Sequence, residues 1–267
     1  MPLSAFQTEV AQQLAANRSP GSHLAGAAAL MLDPQSPRMS DDLDYFHDEE
    51  ALVAQAYDLD RHSLIRAGFL VTVLLSQPGF IRAVVTRGTD GTKVEWAHDS
   101  AWRFFPAERD PVVGYRLHSL DLAINKVLAL VGRDEPRDFL DTIYVHEQYL
   151  PLAGLCWAAV GKDPGFNPVQ LVELLARKGR YREEDFAALQ LTRPIDLQAL
   201  KRTWLAALQE ARRAAAEWPA DQAGVLYFDP NVEKFVSPSA GTAGLEVRRP
   251  HRGGIIPRVG ESDSAMP

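Results

Sequence analysis

The segment Arg38–Asp48, RMSDDLDYFHD, alternates acid and hydrophobe over Asp42-Leu43-Asp44-Tyr45, and it constrains the fold more than any other stretch. In an extended strand, side chains two apart point the same way. Asp42 and Asp44 therefore share one face, while Leu43 and Tyr45 can anchor the other face in a core. Two carboxylates held that close repel unless a cation sits between them.

The residues just upstream sharpen this reading. A tight turn at Pro20–Gly21 leads to the apolar step His23-Leu24-Ala25, then Gly26, then Ala27–Leu32, all alanine and large aliphatics. The run suits a buried helix opened by glycine, whose bare backbone N–H groups point at whatever lies in front. Hard oxygen ligands on a short rigid element suit Mg²⁺ or Mn²⁺, with part of the ion's shell kept for substrate phosphates. The competing reading is a solvated acidic turn before a helix. Two acids so spaced are common, and the upstream glycine turn is what weighs against it.

Periodicity supplies the rest of the architecture. Ser4–Ala16 reads as an amphipathic helix with Phe6, Val10 and Leu14 at four-residue spacing, and Asp48–Arg66 as a helix with an acidic first turn. Phe69–Leu75, Phe80–Arg87 and Thr92–His98 have β character, the last two joined by Gly88-Thr-Asp-Gly91, and Val112–Leu117 is a fourth strand. Helices are then expected at Leu120–Val131, Asp138–Tyr149, Pro168–Arg177, Glu183–Gln190 and Leu197–Glu217. Val225–Phe228 and Glu233–Val236 suit a terminal hairpin. The expected organisation is an α/β (α+β) core with a mixed sheet over 1–118, a helical bundle packed on it over 119–218, a hairpin in 219–236, and an unstructured tail over 237–267.

Composition narrows the function classes. A chain of 267 residues suits one large domain or two small ones. A net charge of −7 opposes extensive non-specific nucleic-acid binding, although local basic patches can still serve a small polyanion. No apolar stretch is long enough to span a bilayer, and MPLSAFQTEV lacks the order of a secretion signal. The single cysteine, Cys156, sits in the apolar run LCWAAV and reads as a buried, unreactive thiol. These features together suggest a cytoplasmic protein with no membrane partner.

Two stretches carry a family resemblance. HLAGAAALML…PRMSDDLDYFHD resembles the first motif of the AbiEii/AbiGii-type nucleotidyltransferase toxins, a branch of the polymerase-beta-like superfamily. LHSLDLAINKVLALVGRDEPRDFLD is similar to that family's second signature, in which a lysine-bearing helix is followed by an Arg-Asp pair opening the next helix. The likeness runs from about Leu24 to Leu175 with the motifs in the family's order. It implies a metal-dependent enzyme that moves a nucleoside monophosphate from an NTP to tRNA, another RNA or a protein hydroxyl, as the toxin of a pair with an antitoxin partner.

Carried over residue by residue, the resemblance makes Asp42 and Asp44 the metal ligands and puts Gly26, Ala27, Arg38, Ser40, Lys126 and Arg137 at the nucleotide. Ser40 matches a serine that antitoxin-directed phosphorylation blocks in some relatives. Lys126 matches the triphosphate-binding lysine; its alternative is a snorkelling surface residue. Asp138 and Asp141, with Arg137, match the Arg-Asp-x-x-Asp element, with Asp138 the stronger catalytic candidate and a helix cap the alternative. Such sites take a third acid from a neighbouring strand. Glu95, in Lys93-Val-Glu-Trp, is the candidate as metal ligand or general base, against the alternative of an exposed carboxylate paired with Lys93.

One departure stands out. The family's Gly-Gly-Thr/Ser reads Gly26-Ala27-Ala28 here, so a phosphate-binding hydroxyl is missing. That favours, as the competing function, a non-catalytic module that binds nucleotide or protein. His47 is expected at a strand end near the site, without a catalytic role, and His98 lacks partners for a metal cluster. Arg177, Lys178, Arg180, Arg182, Lys201, Arg202, Arg212 and Arg213 either hold an acceptor or are solvated helix faces. In the tail, Arg248, Arg249 and Arg252 are candidates for contact with RNA or an antitoxin.

Overall fold

Ser4 and Gln7 cap the first helix reciprocally, the Ser4 hydroxyl accepting from the Gln7 amide and the Gln7 side chain accepting from the Ser4 amide. The computed structural model describes residues 3–237 and 241–254. Helix α1 (Ala5–Leu14) is followed by strand β1 (Ser22–Ala25), the short helix α2 (Gly26–Leu30) and strand β2 (Asp42–His47). Helix α3 (Glu50–Arg66) leads into β3 (Leu70–Gln77), β4 (Phe80–Arg87) and β5 (Asp90–His98). Three short strands come next: β6 (Trp102–Arg103), β7 (Glu108–Asp110) and β8 (Gly114–Arg116).

The helical half consists of α4 (Ser119–Gly132), α5 (Pro136–Gln148), α6 (Leu152–Lys162), α7 (Pro168–Leu175) and α8 (Leu197–Glu217). Four short strands follow among the described residues: β9 (Leu226–Asp229), β10 (Lys234–Val236), β11 (Glu246–Arg248) and β12 (His251–Arg252). No helix among the described residues is long and apolar enough to cross a membrane.

The seven-stranded sheet has the order β3-β4-β5-β2-β1-β8-β7 and mixes parallel with antiparallel neighbours. Period-two alternation gives it two chemically different faces. Leu43, Tyr45, Ala83, Val85, Val94 and Trp96 are buried on the side that α1 and α3 cover. Beneath that face Asp60 of α3 accepts from Arg18 and from the Trp96 indole N–H at 2.6 Å each, and the Arg18 guanidinium lies 4.5 Å from the centre of the Tyr45 ring. This buried charged anchor pins α3 to the middle of the sheet. The other face carries Asp42 and Asp44 and meets α2 and, through α2, helix α4.

Several expectations are corrected. The strand at 112–117 shrinks to Gly114–Arg116, and the helix at 183–190 is only a 3-10 turn, Glu183–Phe186. Helix α6 went unread because LAGLCWAAVGK is apolar all round and buried along Leu152–Val160, so it has no amphipathic period to detect. Cys156 lies within it, and burial pushes its thiol pKa up.

The tail from 237 is not uniformly unstructured. Strand β11 pairs with β9 and β12 with β6, and Arg248 donates to the Phe104 carbonyl at 2.9 Å with its guanidinium over the Phe105 ring. Backbone pairing and one stacked cation order segments too short for composition to reveal. Residues 238–240 and 255–267, part of the same expectation, lie outside those described.

Candidate active site

Register decides which side chains meet. Strands β2 and β5 run parallel with Asp42 opposite Lys93 and Asp44 opposite Glu95, and β4 sets Arg82 opposite Glu95. All five side chains therefore share one face. Oxygens of Asp42, Asp44 and Glu95 come within 4.8 Å of one another. Glu95 is thus brought to the acid pair, but its salt-bridge partner is Arg82, at 2.7 Å, and not Lys93. Lys93 projects from the same strand face, exposed at the rim of the cleft.

Gly26 closes the site from the β1 side. Its φ of +59° belongs to the left-handed region, and a Cβ there would lie 1.9 Å from Asp44 Oδ2. Only glycine lets the backbone pass so close to that carboxylate. Ala27 reaches the cleft wall, whereas Ala28 is fully buried.

The helical half and the loop before β2 supply cations. Lys126 of α4 is buried and lies 2.8 Å from Asp141 and 3.9 Å from Asp138. Arg38 is buried too, its guanidinium held by both oxygens of Asp141 at 2.8 and 2.7 Å. Arg133 donates to Asp138 at 2.7 Å, and Arg137 is paired with Glu135 at 2.6 Å. Asp138 and Asp141 are themselves buried behind these cations and do not reach the cleft surface. Their geometry is that of supports that orient Lys126, Arg38 and Arg133, and of the two Asp141 makes the closer contact with Lys126.

Two expected positions turn away. The Ser40 hydroxyl is buried and donates to the Asp42 carbonyl at 2.9 Å, steadying the start of β2 without lining the cleft. His47 falls on the core face of β2, buried and opposite in sense to the acids, where burial drives its pKa down to about 3. The expectation that it lies near the site is corrected: the period that aligns Asp42 with Asp44 sends residue 47 to the other side. His98 is exposed at the end of β5. None of Arg177, Lys178, Arg180, Arg182, Lys201, Arg202, Arg212 and Arg213 lines the cleft, and Lys178, Arg182 and Arg212 are paired with acids on the surface.

No family model and no curated protein matches the sequence. Among solved structures, MenT4, a nucleotidyltransferase toxin from Mycobacterium tuberculosis, matches at a TM-score of 0.53 and 18% identity, over 81% of this chain and 83% of that one. JHP933 from Helicobacter pylori matches at 0.50 and 16% identity, over 80% of this chain and 95% of that one. A second Helicobacter pylori chain, a candidate nucleotidyltransferase, matches at 0.50 and 18% identity over 80% and 96%.

The chain has a nucleotidyltransferase fold.

On this nucleotidyltransferase scaffold the electrostatics of the cleft run against those of the whole molecule. The chain carries a net charge of −7, yet the cleft, of about 360 Å³, is lined by Arg38, Arg82, Lys93, Lys126, Arg133 and Arg137 against only three acids. Asp44 is pushed up to about 7 by burial first and then by Asp42 and Glu95, against the pull of Lys126 and Arg133. Asp141 goes the other way: burial would raise it, but Lys126 and Arg38 outweigh that and hold it below the usual carboxylate range.

An all-oxygen donor set that repels itself strongly enough to keep a proton near neutrality fits a hard divalent cation. Sequence reasoning missed Arg82, Lys93 and Arg133 as cleft residues. Arg133-Asp134 repeats the Arg-Asp pattern of Arg137-Asp138 four residues earlier, which was a usable signal. Arg82 had none, because only the β4–β5 register brings it there.

Lys126→Met should destabilise the fold by about 1–3 kcal/mol, since Asp141 loses one of its two cations in a buried setting. Denaturant melts of the parent and the variant check it, and a variant as stable as the parent would mean that Lys126 does not hold Asp141 in place.

Proposed function

We propose that the chain is an enzyme transferring a nucleoside monophosphate from an NTP to a hydroxyl of an RNA, tRNA-like or otherwise, or of a protein. The observation that carries this reading is the trio Asp42, Asp44 and Glu95 within 4.8 Å, ringed by cations in an otherwise acidic protein. Asp42, Asp44 and Glu95 would hold Mg²⁺ or Mn²⁺, which when bound neutralises the carboxylates and charge developing on the phosphates.

Lys126, Arg133 and Arg137 bind and orient the triphosphate, their own positions fixed by Asp138, Asp141 and Glu135. Gly26 and Ala27 give the nucleotide close approach to Asp44. Glu95 accepts the proton of the acceptor hydroxyl once Arg82 swings from it. The acceptor oxygen bonds to the α-phosphorus, the bond from that phosphorus to the β-phosphate oxygen breaks, and pyrophosphate leaves with the electron pair.

The resemblance to AbiEii-type proteins and the likeness to MenT4 support a toxin acting in the cytoplasm and opposed by a partner antitoxin. A second reading, a module that binds nucleotide or protein without chemistry, is favoured by Ala27 where a glycine, and Ala28 where a hydroxyl, is expected. Arg38, Lys126 and Arg133, anchored by the buried Asp138 and Asp141, compensate for that loss in our reading.

The deciding assay incubates the protein with each labelled NTP, Mg²⁺ and total RNA, beside Asp44→Ala and a chelator control. Label should move to RNA or to protein only with the parent chain and free metal. Transfer that persists in Asp44→Ala would overturn the site. An absence of transfer from every NTP, with no growth inhibition on expression, selects the binding module.

A further inference from the structure

Ten large hydrophobic side chains are exposed among the described residues, and six of them belong to two adjoining elements: Leu59 and Ile65 of α3, and Leu70, Val73, Leu74 and Leu75 of β3. On β3 the exposures are 69%, 43%, 56% and 43%. Strand β3 ends the seven-stranded sheet, paired with β4 on one side and with no described strand on the other. Its open side presents a row of unpaired N–H and C=O groups.

The two ends of the sheet are built differently. Strand β7, at the far end, is three residues long and every one is charged: Glu108, Arg109, Asp110. Short, charged edges repel further strands. Strand β3 runs for eight residues, Leu70–Gln77, without a charge or a proline. One bulge at Leu74 interrupts its register with β4 but puts no charge there. An edge this long and apolar would template uncontrolled pairing unless something specific covers it.

We propose that a second copy of the chain covers it, the two β3 strands pairing antiparallel about a two-fold axis. An isologous contact sets a surface against itself, so a charged strand would face like charge near the axis. This strand has none to oppose. Charge on the neighbouring helix favours the same arrangement. Exposed Glu50 opens α3, after the cap residue Glu49 that pairs with Arg252, and exposed Arg61 and Arg66 lie toward its end.

The acidic start of α3 lies beside the end of β3, where Glu50 and Ala54 share a groove with Ser76 and Gln77. The basic end of α3 turns through Gly68 into the start of β3. Antiparallel pairing of the strands therefore brings the acidic end of one α3 toward the basic end of the other; parallel pairing would bring like to like. Strands β4 and β5 separate this edge from the carboxylates of β2, so the two sheets join with both clefts open on the same side.

Sedimentation and light scattering over a wide concentration range test this on the full chain. The parent should be a dimer. Leu70→Lys combined with Leu74→Lys should weaken it roughly a hundredfold or more, with the circular dichroism spectrum of the monomer retained, whereas Val247→Lys, an equally exposed site on another sheet, should leave it intact. Glu50→Lys alone and Arg66→Glu alone should each weaken the dimer at low salt, and the two together in one chain should restore it. A monomer at every concentration, or a dimer indifferent to the β3 lysines, overturns the proposal. Failure of the combined charge reversal to restore association overturns the antiparallel arrangement.

Discussion

Replacing Asp44 by asparagine should abolish nucleotidyl transfer while making the metal-free protein more stable at alkaline pH. Asp44 stands between Asp42 and Glu95, and the amide removes one of the carboxylates that a divalent cation needs. We expect a fall in rate of at least about a thousandfold, equivalent to roughly 4 kcal/mol of transition-state stabilisation.

The stability effect has the opposite sign. Its folded pKa of about 7 lies above the ordinary 3.8. Below the ordinary value both states are protonated and nothing is lost. As pH rises toward 7 the unfolded chain gives up its proton while the folded one holds it, so stability drains away across that window. The total is on the order of 2–4 kcal/mol, reduced by the water that reaches a half-buried cleft. Asparagine cannot ionise and escapes the penalty.

Melting the parent and Asp44→Asn at pH 5 and pH 8 should therefore show a gain that is larger at pH 8. Added Mg²⁺ or Mn²⁺ should raise the melting temperature of the parent, most above pH 7, and leave Asp44→Asn unmoved. An equal rise in both proteins would show that Asp44 is not a ligand.

Gly26→Ala is expected to be nearly as damaging to activity, although it adds a single methyl group. The left-handed φ of +59° already strains any side chain, at a cost of order 1–3 kcal/mol. The larger problem is the 1.9 Å between the new Cβ and Asp44 Oδ2. The backbone of α2 is fixed by its burial against the sheet, so the carboxylate yields by rotating away from Asp42 and Glu95.

We expect a loss of at least about a hundredfold in transfer rate, from a misplacement of the order of an ångström at the reacting centre, and a smaller loss of fold stability. Transfer kinetics and metal titration check it. Near-parental metal affinity in Gly26→Ala would mean that the turn does not press on Asp44. The pairing of these two variants is informative, because one removes the ligand and the other displaces it.

What could be read from the chain and what could not divides along the range of the interactions. Asp42 and Asp44 share a face because strands repeat every two residues, and that rule needs no knowledge of the rest of the molecule. Leu43 and Tyr45 go to the core by the same rule, and it would have sent His47 there had it been applied to the end of the strand. Helices α1 and α8 announce themselves by amphipathic spacing, and α3 by its acidic first turn. Helix α6 does not, since a helix buried on every side has no polar face to mark its period.

Glu95 was legible only as an acid in a β-patterned run; that it stands beside Asp44 depends on a parallel register between strands far apart in sequence. Arg82 arrives by the next register along. Lys126, Asp141 and Arg38 form a buried ion cluster from a helix, the following helix and a loop more than eighty residues upstream. Packing of the helical half on the sheet sets that cluster, and no local pattern encodes it. By itself, then, the sequence determined a two-faced strand with paired carboxylates behind a glycine turn. The tertiary structure alone set Glu95 beside Asp44 and brought Arg82, Lys93 and Arg133 to the cleft, because pairing register and packing are non-local, and it assigned Gly26 its particular task of leaving room for Asp44.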